Sequence, residues 1–487
     1  MKKQAKGYGK VIVTAVIATG FFALLVFALV TQLTTKDNRW FAFRAEVKYA
    51  LIAVIIVLLV LLILFVSIEI VGSRGTDLAT PAYFGVDFQK ENAKKKRRKG
   101  RAPVVVAGTP DAQTTVEQTS ETVTEEGGSR FYMLTEIDKE YEGYVRPEYE
   151  DTIGLKELCE EFRNYAAGTL KLYYDIEDIR RFIGALAVTK LIILQGMSGT
   201  GKTSLAYAFG EFLNNKTVVV PIQPMWKERT DLVGYYNEFT RRFNETTLLY
   251  KMYEANCNEE IYITVLDEMN IARVEYYFAE FLSLLELPNP DGRNLDVVAD
   301  RWDDDPKLLQ KNGKLRLPTN MWFVGTANND DSTFAISDKV YDRAMVLNLD
   351  KKAILFEAKE NRQMKLSATH LEELYVRAQR EFAMSDRNER RLKELDAYMI
   401  KTFHLTFGNR IMKQIRSYVP VLVGCGGTEL EALDDILSRK VFRKLEAKNP
   451  VYVKQAAEGL CAYLDELFGE NKLPLCKEAV RLIEQNL

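Results

Sequence analysis

Histidine is nearly missing from this chain, and cysteine occurs without any pairing pattern. Two histidines, His370 and His404, and five cysteines, at 159, 257, 425, 461 and 476, are spread over 487 residues with no C-x-x-C. That spacing argues against a zinc site and a disulfide framework and leaves reduced structural thiols as the expectation. An excess of either charge is also missing. Lysine and arginine number 66, aspartate and glutamate 68, so no chain-wide basic field draws the protein to nucleic acid. Charge is lacking locally too: residues 11–30 and 50–68 contain no ionisable side chain.

Each of those two runs meets the roughly 20 apolar residues that a bilayer span requires. The first is too long for the core of a signal peptide, and a second follows it at once. Residues 1–72 are therefore expected to form a two-helix membrane anchor. The second run has no ionisable group before Glu69, which points to anchoring rather than an ion pathway. The loop between the runs carries Lys36, Arg39, Arg44 and Lys48, but the denser block Lys94, Lys95, Lys96, Arg97, Arg98, Lys99 and Arg101 follows the second. The positive-inside rule then places both termini, and everything after the anchor, in the cytoplasm. The same block suits a stop-transfer signal or anionic headgroups equally. Residues 102–130 hold five acids, no base before Arg130 and no periodicity, so 73–130 reads as a basic juxtamembrane segment followed by a flexible linker.

Globular composition begins at Phe131. Helical patterns are expected over Leu155–Tyr165 and Ile176–Val188, the second with Asp175 as its cap and Asp178 completing an imperfect capping box. Leu191–Leu194 reads as a buried strand, followed by GMSGTGKTS (196–204) and a helical apolar pattern through Leu205, Phe209 and Phe212. This is G-x-x-x-x-G-K-[ST] between a strand and a helix. Gly196, Ser198, Gly199, Thr200 and Gly201 offer backbone N–H groups to phosphates, and Ser204 extends the cradle into the helix. Lys202 is placed to reach the β- and γ-phosphates, and Thr203 to bind Mg²⁺. Further strands are expected over Lys216–Ile222 and Ile261–Leu266, the latter ending in Asp267-Glu268. Acids at the carboxyl end of such a strand lie where open parallel sheets bind ligands. Asp267 suits the Mg²⁺ shell and Glu268 suits polarising an attacking water. The strand Met321–Thr326 runs into Asn328, within reach of a γ-phosphate and its water. Arg343, ahead of the strand Ala344–Leu349, suits neutralising transition-state charge in a neighbour's site.

As a set these residues resemble the Walker A, Walker B, sensor 1 and arginine-finger series of the AAA+ ATPases. The likeness is closest to the McrB and dynein-related (MoxR-like) branch, through TDLVGYYNEF (230–239), LDEMNIARVEYYFAEFLSLLE (266–286), GTANND (325–330) and SDKVYDRA (337–344). The resemblance covers roughly 175–445. It implies an α/β P-loop domain over 131–352 with a parallel sheet of order 5-1-4-3-2, a helical lid within 353–487, and ATP sites shared between subunits of a homo-oligomeric ring, expected as a hexamer. It also implies a hairpin within 287–318, a substrate-facing loop at Gly234-Tyr235-Tyr236, and a sensor 2 role for Arg410, contacting the γ-phosphate. Helices are expected over 353–361, 371–382, 389–403, 411–423 and 430–445, with two more to the end. The chain departs from McrB-type proteins in lacking the arginine after the aspartate of their M-N-x-x-D-R-S signature, and membrane runs replace a DNA-reading domain. The expected protein is thus a membrane-anchored AAA+ ATPase using ATP and Mg²⁺ to remodel an unknown protein client. The alternative is an NTP-driven nucleic-acid motor serving a separate nuclease.

Overall fold

A computed structural model describes residues 129–487, apart from 216, 329–332, 351, 352, 360, 486 and 487. The two expected spans, the basic block and nearly all of the linker lie outside the described residues. Among the described residues no helix is long and apolar enough to cross a membrane.

Three helices open the described residues: α1 (Met133–Glu140), α2 (Leu155–Gly168) and α3 (Ile176–Leu186). Leu155, Leu158, Cys159, Phe162 and Ala166 recur at helical spacing along α2 and are all buried, the single apolar stripe of a helix lying on a core. Asp175 stands at the N-cap of α3, but its side chain caps nothing. Asp178 instead pairs with Arg181 at 3.2 Å, so the expected capping box is absent. Then come β1 (Leu191–Gln195), α4 (Lys202–Phe212) and β2 (Val218–Pro221), followed by α5 (Arg229–Val233) and the hairpin β3 (Gly234–Asn237) and β4 (Arg242–Glu245). After α6 (Thr247–Ala255), β5 (Tyr262–Asp267) leads through a short 3-10 turn to α7 (Val274–Tyr277) and α8 (Ala279–Glu286). A second hairpin, β6 (Asn294–Asp296) and β7 (Lys314–Arg316), stands where 287–318 was expected to form one. The α/β part closes with β8 (Met321–Ala327), α9 (Asp338–Tyr341) and β9 (Met345–Asn348).

The sheet has five parallel strands in the order β2-β5-β8-β1-β9. Counted by sheet strand from the other edge, this is the expected 5-1-4-3-2. Strands β1 and β8 are buried throughout, because a parallel sheet is covered on both faces and leaves no side for polar residues. Period-2 alternation divides each strand between two cores. Ile192, Leu194, Ile263, Val265, Trp322 and Val324 enter the core shared with α2, α3 and α4. Leu191, Ile193, Tyr262, Leu266, Met321 and Phe323 enter the other, with α6 and α8.

The C-terminal region is helical: α10 (Ala368–Glu381), α11 (Asp386–Phe403), α12 (Gly408–Gly424), α13 (Glu429–Lys440), α14 (Pro450–Phe468) and α15 (Pro474–Gln485). Residues 353–361, expected as a helix, form none among those described. Their polar groups are taken by α2 instead. The Lys359 N–H donates to Asn164, and the Asn361 side chain donates to the Glu161 carbonyl. Phe356 lies 3.8 Å beneath the Arg163 guanidinium and edge-on to Tyr173. A segment whose polar groups find partners on a neighbouring helix need not form its own.

Arg130 fastens the start of the described chain to the segment between β6 and β7. It donates to both oxygens of the buried Asp305, at 3.1 and 2.8 Å, and to the Asp300 carbonyl, while lying 4.0 Å over the Trp302 ring. Removing one partner of a buried ion pair strands the other charge, at a cost of about 3–5 kcal/mol. Arg130→Met should therefore strip hydrogen-exchange protection from residues 294–316 by about that amount, and adding Asp305→Leu should restore most of it.

Candidate active site

The loop between β1 and α4 is shaped by glycine. Gly196, Gly199 and Gly201 have φ of 145°, 80° and 88°, where other L-residues are strained. At Gly196 a Cβ would come within 2.6 Å of the Leu349 carbonyl oxygen, so a side chain there would push the loop off β9. Gly201 ends the loop, and its carbonyl accepts from the Tyr174 hydroxyl at 3.0 Å. Helix α4 begins at the next residue, so its free N–H groups and dipole face the loop's hollow. Lys202 is buried and its ammonium lies under the loop, donating to the Gly196 and Met197 carbonyls at 2.9 and 2.7 Å.

Strand order brings the acids to this loop. Leu266 of β5 pairs with Gly325 of β8, which places Thr326 beside Asp267. The Thr326 hydroxyl donates to Asp267 Oδ1 at 2.8 Å, and the Thr203 hydroxyl of α4 donates to the same oxygen at 2.8 Å. Thr326 Oγ1 in turn accepts the Glu268 N–H at 2.9 Å. Glu268 itself sits at φ 52°, ψ 47°, a left-handed conformation uncommon outside glycine and concentrated at functional sites. That reversal stops β5 and brings Glu268 to the wall of a cavity of about 210 Å³. Ser198, Gly199, Gly201, Lys202, Thr203, Ser204, Asp267, Thr326 and Asn328 line the same cavity. Gly196 and Thr200 belong to the loop but not to that wall; the Thr200 hydroxyl turns back to the Met197 carbonyl at 3.0 Å.

Two contributors escaped the sequence reading. One is Thr326, whose signal was a hydroxyl at the end of a strand next to the acidic one. The other is Asn270, two residues past Glu268. It is buried, and its Nδ2 donates to the Asn328 carbonyl at 2.9 Å, to Thr333 Oγ1 at 3.0 Å and to the Phe334 carbonyl at 3.3 Å. Its backbone carbonyl accepts the Phe334 N–H at 2.8 Å. Asn270 thereby ties down both flanks of the segment after β8 and fixes where Asn328 leaves the strand.

Arg343 and Arg410 are not brought to this cavity. Arg410, expected at the γ-phosphate of its own chain, is paired with Glu286 at the end of α8, and Arg343 pairs with the other oxygen of that carboxylate at 3.0 Å. Both line a separate cavity of about 720 Å³. Lys190 lies there too, and it precedes β1, as Arg343 precedes β9; this cavity therefore faces the amino ends of the strands, away from the phosphate loop. The turn bearing Arg343 is gripped by the helical region. The buried Lys440 ammonium donates to the carbonyls of Tyr341 and Ala344, on either side of it, and Gln414 donates to the Asp342 carbonyl at 3.2 Å. Burial pushes Lys440 down to about 7, with Asp342 opposing the shift.

Fold and cavity together define a phosphate-loop α/β domain with a helical C-terminal region. Residues 191–344 match the family model described as AAA domain (dynein-related subfamily), so this α/β domain is of the AAA+ type. No curated protein matches the chain. Among solved structures it is similar to a full-length MCM homolog from Methanopyrus kandleri, at 11% identity and a TM-score of 0.35, over 61% of this chain and 62% of that one.

Thr326 orients an acid expected to serve a metal, and groups in that position typically change metal affinity or activity about 10–100-fold when removed. Thr326→Val keeps the shape and deletes the hydroxyl. Mg²⁺ titration of nucleotide binding should show a midpoint raised by that factor, with the melting temperature little changed.

Proposed function

We propose that this protein is a membrane-anchored AAA+ ATPase that binds Mg-ATP, hydrolyses it within a ring of identical subunits and uses the cycle to remodel a protein partner. The observation that carries the reading is the shared oxygen of Asp267: it joins the phosphate-loop helix to the acidic strand and leaves Glu268 lining the same hollow.

The all-oxygen set of the Thr203 hydroxyl and the Asp267 carboxylate, 2.8 Å apart, fits a hard divalent cation such as Mg²⁺. Such an ion, when bound, neutralises charge on the β- and γ-phosphates. The backbone N–H groups of 199–204 and the α4 dipole hold the phosphates. Lys202 exchanges its two carbonyl partners for phosphate oxygens. Glu268 accepts hydrogen bonding from the attacking water and takes its proton as the water oxygen bonds to the γ-phosphorus in line; the bond to the β–γ bridging oxygen breaks, and ADP leaves. Asn328 positions that water. Arg343, whose cavity is remote from its own phosphate loop, acts in the next subunit's site.

Anchoring rests on the two uncharged runs at 11–30 and 50–68. A polypeptide client is favoured by the β3–β4 hairpin, where Phe239 of the turn is 99% exposed and Tyr235 of β3 is 52% exposed. Exposed aromatics on a hairpin suit gripping an extended chain.

In detergent or nanodiscs, Glu268→Gln should bind ATP normally and turn over at least about 100-fold more slowly; equal rates would remove Glu268 from this role. Arg343→Ala should lose about 10³-fold or more. Mixing the two inactive variants should restore part of the turnover, because some interfaces then carry an intact Glu268 and an intact Arg343. Failure to complement would mean that sites are not shared between chains.

A further inference from the structure

We infer that Glu286 closes a clasp on Arg343 and Arg410, standing in for a phosphate, and that the terminal phosphate of a triphosphate bound to a neighbouring copy displaces it. The inference rests on the ring reading above and adds to it a resident competitor for the ligand.

Each oxygen of the Glu286 carboxylate meets a different guanidinium, Oε2 with Arg343 at 3.0 Å and Oε1 with Arg410. Two guanidinium groups converging on one small oxyanion is the geometry by which arginine recognises phosphate. The rest of the wall has the same sign. Lys190, Arg293 and Lys413 also line the cavity, so five cations face two carboxylates, Glu286 and Glu372. Glu372 is already engaged with Lys190 at 3.1 Å. With Glu286 withdrawn, Arg343, Arg410, Arg293 and Lys413 would line a space of about 720 Å³ in which Glu372, already paired with Lys190, is the one carboxylate left among the described lining residues. That is a site for a multiply charged anion.

Glu286 can be withdrawn. It ends α8, whose last turn carries no basic residue, so the carboxylate sits against the negative end of the helix dipole. Its side chain is 30% exposed and that of Arg410 is 51% exposed, so solvent and a docking subunit can reach both. Glu286 is also joined to the acidic pair of its own subunit by the 3-10 turn, α7 and α8, with few residues between them.

The test uses the full chain carrying Glu268→Gln, so that assembly is read without turnover. Mass photometry would follow the ATP concentration giving half-maximal assembly. Adding Glu286→Gln should lower it roughly fivefold or more, whereas adding Arg410→Ala should raise it. An ion pair that merely braces the fold would move both variants in the same direction, which would overturn the clasp, as would no effect of Glu286→Gln. If the Glu268→Gln chain assembles at no ATP concentration, the ring reading fails and takes the clasp with it; assembly without nucleotide dependence overturns the clasp alone. Inorganic tripolyphosphate separates the two sources of phosphate. Tight binding to unassembled Glu286→Gln chain would make this a site for free polyphosphate and overturn the neighbour's role; weak binding alongside ATP-driven assembly supports it.

Discussion

One carboxylate oxygen holds this site together. Asp267 Oδ1 accepts the hydroxyls of Thr203 and Thr326, so the phosphate-loop helix, the acidic strand and the strand between β1 and β5 meet at a point. None of the three is near another in sequence. They meet because β8 lies between β5 and β1, an order that a chain running from β1 to β2 to β5 reaches only by returning to the middle of the sheet. The parallel sheet therefore does more than support the cavity: its strand order decides which side chains form it.

The two ends of the sheet hold two different hollows. At the carboxyl ends, backbone donors and a buried ammonium face two acids across a cavity of about 210 Å³. At the amino ends, five cations face two carboxylates across a larger one. On the reading proposed above, an anion held in the first hollow is what a neighbouring copy's cationic hollow would meet, a heterologous, head-to-tail contact. The grip of Lys440 and Gln414 on the Arg343 turn joins the wall of the cationic hollow to the helical region.

What could be read in advance was local. Uninterrupted apolar runs gave away strands covered on both faces, and the glycine spacing of 196–201 gave away a loop that wraps its backbone around a ligand. The strand order followed from the resemblance rather than from any pattern in the residues. What escaped depended on partners far along the chain. The run 353–361 has a helical composition, but α2 takes its polar groups. Asp175 has a capping residue's identity and position, yet its side chain makes no capping hydrogen bond. Thr326 and Asn270 look like any polar residues at the end of a strand until register sets one beside Asp267 and packing aims the other at Asn328. Arg410 was assigned to its own phosphate, whereas Glu286 draws it to the opposite end of the sheet.

The Arg130 clamp lies directly after the N-terminal quarter of the chain. Asp305 and Trp302 hold it within the β6–β7 insertion, and the Phe131 ring stacks on Phe243 of β4 at 4.8 Å. Tension applied from upstream would thus be felt at the two hairpins before it reached the sheet. Conversely, a displacement of either hairpin would be passed back to the chain at Arg130.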